Sequence, residues 1–202
     1  MANPTNTTPA SGNAGEGVKK FLTSVFNGLS IPANQHPFYT EALKLGAIGN
    51  VVSGIVGIVF SYLSVMVLKA IFAGSLYAVG GVNLFPAAYT TYSFNVGSTV
   101  ISLFWAAVYG AIRILILIRW INRYWPKFLG KTLFAKLFYL NFIVGVLLGG
   151  ILSVLTAIFM PIISVSLLLL IIGGVVASYA SAKIIAGGLE KKYPAVLAEV
   201  IK

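Results

Sequence analysis

The first regular pattern along the chain lies between Val18 and Leu29. Val18, Phe21, Leu22, Val25, Phe26 and Leu29 recur at helical spacing, while Lys19, Lys20, Thr23, Ser24 and Asn27 take the other side. This predicts a short amphipathic helix. Its bulky stripe and two lysines suit either a helix lying along lipid headgroups or one packed on another subunit. Residues 1–17, rich in Asn, Thr, Pro, Ala and Gly, read as a polar tail with no secretory leader pattern. A Pro-containing linker, Ile31 to His36, completes an interfacial region over residues 18–44.

Periodicity then gives way to continuous apolar runs. Leu45 to Leu68 is free of charge, bounded by Lys44 and Lys69, and long enough to cross a hydrocarbon core of about 30 Å. Residues 70–96 are apolar but interrupted by Gly74, Gly80, Gly81 and Pro86 and dotted with aromatics. They read as a structured loop in the aromatic interface zone, or as a re-entrant segment. A second span covers 97–118. After Lys136 no charge appears until Lys183, a run of 46 residues. As one helix this would measure about 69 Å, more than twice the core, so it must fold back. Pro161 marks the turn between spans at 137–159 and 162–185, Gly187-Gly188 closes the last helix, and 188–202 form a short amphipathic helix started by Pro194. The expectation is an all-α integral membrane protein with about four transmembrane helices and amphipathic helices at both ends.

Charge supports that count. Only 9% of residues are charged, where soluble domains carry about a quarter. Fourteen Lys and Arg oppose four Glu, with no Asp, a net charge of +10. With four spans, the basic segments (Lys19, Lys20 and Lys44; Arg119, Arg123, Lys127, Lys131 and Lys136; and the C-terminal lysines) all fall on one side. The first loop holds only Lys69 and the Pro161 turn none. By the positive-inside rule both termini are expected inside. The basic face implies anionic partners: lipid headgroups first, with nucleic acid as another class that basic residues near Trp120, Trp125 and Phe128 could meet.

Small residues recur every fourth position in three spans: Ser53, Gly57 and Ser61, beside Gly46, Asn50 and Gly54; Gly145, Gly149 and Ser153; and Gly174, Ser178 and Ala182. In lipid such rows let helix backbones approach closely, within a chain or between copies, which also suits a homo-oligomer or larger assembly. Arg113 is a charge inside an expected span and lies five residues before Ile118, so it is expected to snorkel towards the basic interface. Asn50, Asn95 and Asn141 suit interhelical hydrogen bonds, and His36 reads as a plain linker residue. With no Asp, no Cys and one His, the chain offers no acid–base pair, metal cluster, cofactor site or nucleophile constellation, so no enzyme activity is expected.

Two function classes remain: a membrane-embedded scaffold, anchor or adapter, and a small pore, holin-like protein or transporter. A pore calls for a polar lining or intramembrane ionisable groups, which these spans nearly lack. The Asn/Thr/Pro-rich start Met1 to Pro9, the absence of Cys and Asp, and Ile/Val/Gly-rich stretches such as Leu167 to Val176 resemble structural membrane proteins of spindle-shaped archaeal viruses. That resemblance implies a virion-membrane anchor or tail adapter whose basic face meets the packaged genome or inner coat.

Overall fold

The computed structural model describes residues 13–73, 96–124, 131–144 and 164–200. Within them the protein is helical: α1 (Asn13–Gly28), α2 (His36–Ala73), α3 (Val96–Tyr124), α4 (Leu133–Val144), α5 (Ser164–Lys192) and α6 (Pro194–Val200). Three helices are long and apolar enough to cross a membrane, over Ala33–Ser64, Val96–Ile121 and Ile171–Lys192. Of the expected span at 137–159, α4 covers the beginning. Its remainder, the Pro161 turn, most of the 70–96 loop, Asn95, Lys127, Gly145, Gly149 and Ser153 lie outside the described residues. The chain divides into two compact units, Met1–Thr40 and Glu41–Lys202.

In the first unit, α1 starts earlier than its apolar stripe predicts, taking in residues assigned to the polar tail. Glu16 sits in its first turn, where the helix dipole favours an acid, 3.5 Å from Lys20. The helix ends in a Schellman turn: Ile31 N–H donates to Phe26 O and Ser30 N–H to Asn27 O, both at 2.9 Å, with Ser30 left-handed at φ 54°. Phe26 and Ile31 are buried, while Val18 and Phe21 stay exposed. His36 is no plain linker residue. Its ring lies 5.1 Å from that of Phe26, and its Nε2 is 3.1 Å from Ile31 O.

In the second unit, the long helices run antiparallel in a constant register. Along α2, Leu45 meets Gly188, Gly49 meets Ser181 and Ile185, Ser53 Oγ donates to Ala177 O at 3.0 Å, and Phe60 covers Gly173. The neighbouring row of α2 meets α3: Gly46 lies against Gly110 and Ile114, Asn50 Nδ2 donates to Ala106 O at 2.7 Å, and Gly54 faces Leu103. Phe134 and Phe138 of α4 pack edge-on against Tyr179 of α5, at centroid distances of 5.5 and 6.5 Å. Backbone polar groups in lipid must be satisfied within the segment, and helices do this whatever their side-chain propensities.

The helix boundaries correct the sequence reading in two places. α2 begins at His36 rather than near Leu45, because Pro37 is well suited to a helix's first turn; Lys44 therefore lies inside the helix. α5 passes through Gly187-Gly188 and stops at Lys192. Two helical glycines cost only about 2 kcal/mol, and Gly188 is where the Leu45 side chain packs: a Cβ on it would lie 2.5 Å from Leu45 Cδ1. The break comes at Tyr193, where the following Pro194 disfavours helical geometry and then opens α6.

Candidate functional site

The antiparallel register brings the start of α2, the end of α3, the start of α4 and the end of α5 to one end of the second unit. Lys44, Arg119, Lys131, Lys191 and Lys192 there are exposed. Trp120 and Tyr124, 5.9 Å apart between ring centroids, are exposed beside Arg119, as aromatic residues at a membrane interface are. Thr132 fixes where α4 begins, its Oγ1 accepting the Ala135 N–H at 3.2 Å as an N-cap. Glu41 is the acid at this end that ties elements together, accepting Lys192 Nζ at 2.5 Å and lying 4.0 Å from Lys44 Nζ. An open groove of about 300 Å³ runs between Lys131, Thr132 and Leu133 on one side and Glu190, Pro194 and Leu197 on the other.

Beneath this end lies a polar junction of four helices. Arg113 Nη2 of α3 donates to Asn141 Oδ1 of α4, and the guanidinium carbon is 6.0 Å from the Tyr109 ring centroid. Tyr109 is one turn further from the basic end, so Arg113 turns into the bundle instead of snorkelling out. Helical side chains lean towards the helix N-terminus, which for α3 is the direction away from the basic end. Asn50 of α2 and Ser181 of α5 complete the polar lining of a cavity of about 10 Å³, lined also by Gly46, Gly110 and Leu137.

The residues singled out by sequence distribute as follows. Lys19 and Lys20 are exposed on α1. Arg119 and Lys131 are exposed at the basic end, and Arg123 belongs to the last turns of α3. Lys136 is buried, at 8% exposure, and burial lowers its pKa from the ordinary lysine value. Of the small-residue rows, Gly46, Asn50 and Gly54 line the α2–α3 contact and Ser53 the α2–α5 contact. Ser178 and Ala182 are buried, and Ser61 is half-buried. Among the described residues nothing lies within 4 Å of a Cβ built on Gly57 or Gly174, whereas Gly46, Gly49, Gly110, Gly173 and Gly188 are closely approached. Sequence reasoning missed Glu41 as a clamp, Thr132 as a cap and the convergence of Arg113 with Asn141. The cap was readable from Thr132 standing just before an apolar run. The other two depend on register between helices far apart in sequence.

No protein-family model, curated protein or solved structure matches this chain.

Proposed function

We propose that this protein is an oligomeric membrane anchor that collects its basic charge on one membrane face and holds an anionic partner there. The observation that carries the proposal is the register of α2, α3, α4 and α5, which gathers exposed Lys44, Arg119, Lys131, Lys191 and Lys192 at one end of the bundle. Apolar side chains along that bundle, including Ile55, Val59, Phe104, Trp105, Ile112, Ile116 and Val176, are exposed, as expected of surfaces that face lipid or a neighbouring subunit rather than water. The positive-inside rule assigns the basic end to the inner face. On this reading α4, which starts at the basic end, opens the fourth crossing expected at 137–159, beside the three long helices.

Amphipathic α1 and α6 fit this role as docking or interfacial helices. In an enveloped particle such as that of the spindle-shaped viruses, the basic face would meet the genome or inner coat. The polar junction beneath the basic end does not favour the pore reading, since about 10 Å³ holds one water-sized occupant. Purified protein is expected as a multimer or bound to other proteins, and deletion of Met1 to Leu29 should weaken that association. Liposomes carrying it should pass neither ions nor small dyes above background. Reproducible single-channel conductance, or a monomer indifferent to loss of α1, would overturn the anchor reading.

A further inference from the structure

Arg113 is a cation inside a membrane bundle with no acid of its own. The chain has four carboxylate side chains and no Asp. Glu16 pairs with Lys20, and Glu41 is held by Lys192 and Lys44. Glu190 lines the outer groove, and Glu199 lies in α6. Among the described residues, the partners of Arg113 are a neutral amide oxygen on Asn141 and the ring of Tyr109. Guanidinium stays protonated in proteins. A cation withdrawn from water without a counter-charge is strongly disfavoured, and attraction to an anion grows as the local dielectric falls.

The donors left over at the junction converge. Asn50 Nδ2 spends one hydrogen on Ala106 O and has a second. Asn141 accepts through Oδ1, which leaves its amide hydrogens available. Ser181 adds a hydroxyl, and its Oγ faces Gly49, where a Cβ would lie 2.9 Å away. With the remaining guanidinium N–H groups, three neutral donors and a fixed positive charge line one cavity and no anionic acceptor does. At about 10 Å³ the cavity suits a single small body.

We propose that this junction of Arg113, Asn50, Asn141 and Ser181 is a binding site for one small inorganic anion of the halide class, which supplies the missing counter-charge and locks α3 to α4. It is independent of the anchor reading: a site that fails leaves the basic face intact, and an anchor that fails leaves the site.

The test is thermal unfolding of the full chain in a neutral detergent, with chloride or bromide exchanged against gluconate at constant ionic strength. Halide should raise the unfolding temperature saturably. Ser181→Ala should raise the half-saturating halide concentration about tenfold, the loss of one hydrogen bond to a charged group. Asn141→Asp places a carboxylate beside Arg113, so it should hold the protein near its halide-loaded stability in gluconate and abolish the halide response. Bromide should give an anomalous-scattering peak against the Arg113 guanidinium in crystals. Equal unfolding temperatures in chloride and gluconate would overturn the site, as would an unchanged halide response in Asn141→Asp. So would an Arg113-dependent shift produced by anionic phospholipid in halide-free buffer to which halide adds nothing, because the counter-charge would then be a lipid phosphate.

Discussion

Ser30 occupies the left-handed position of a Schellman turn at φ 54°, a conformation that costs a non-glycine L-residue about 1–2 kcal/mol. Ser30→Gly relieves that strain but gives the unfolded chain more freedom, so a net gain of about 0.5–1 kcal/mol is expected in the thermal unfolding of the full chain. An unchanged or lowered stability would show that the turn is not held as described. The turn itself was legible: Gly28, Ser30 and Pro32 are stop signals behind an apolar stripe, and Ile31 following at a distance of five from Phe26 supplies the apolar contact that accompanies such turns. Arg113 was legible as an anomaly but not in its direction. Five residues from the basic end, snorkelling and inward turning are both within reach of its side chain, and the choice depends on Asn141, which belongs to another helix. His36 was misread for a similar reason, since Phe26 and Ile31 give its ring a place that one-dimensional context does not reveal.

Among the helices, α2 carries two adjacent contact faces, one to α3 and one to α5. A Cβ on Gly110 would strike Gly46 O and Asn50 Cβ, whereas a Cβ on Gly57 meets nothing within 4 Å. Gly110→Ala should therefore destabilise the protein by about 1–3 kcal/mol through overpacking, while Gly57→Ala should be neutral or stabilising by up to about 1 kcal/mol from helix propensity. Denaturation of the two variants in parallel checks this, and equal effects would contradict the two-faced packing of α2. Of the four-residue rows, Gly46, Asn50 and Gly54 lie on the α3 contact throughout, whereas Gly57 and Gly174 have no close neighbour among the described residues. A step of four residues turns the helix by about 40° past one full revolution, so one step from Ser53 carries Gly57 towards the edge of that face. That drift puts Gly57 outside the α5 contact, which passes instead from Ser53 to Phe60, a step of seven that nearly restores the same face. Likewise the Gly187-Gly188 pair looked like a helix end because glycine is a common stop signal, yet the tight approach of Leu45 makes Gly188 a packing residue. Apolar length pointed to the three long helices and Pro194 to the start of α6, and contact faces were read only in part.

At the scale of the molecule, apolar runs located the three long spans, and the pattern of Lys and Arg anticipated that the ends of α2, α3, α4 and α5 bearing those charges would meet. That agreement has a physical basis: hydrophobic length sets where crossings occur, and an antiparallel bundle with short ends returns like-charged segments to the same level. The polar junction was not legible, because Asn50, Arg113, Asn141 and Ser181 come from four helices and only the register unites them. The chain lacks native cysteine, so its sidedness is open to direct measurement in sealed vesicles. Single cysteines at Asn122, Lys131 and Lys192 should all react, or all be protected, together against an impermeant thiol reagent, and cysteines at Thr90 and Met160 should behave in the opposite way. Reaction of Lys131 and Lys192 positions from different sides, or of Met160 from the same side as Lys131, would contradict a four-span anchor with its basic charge gathered on one face.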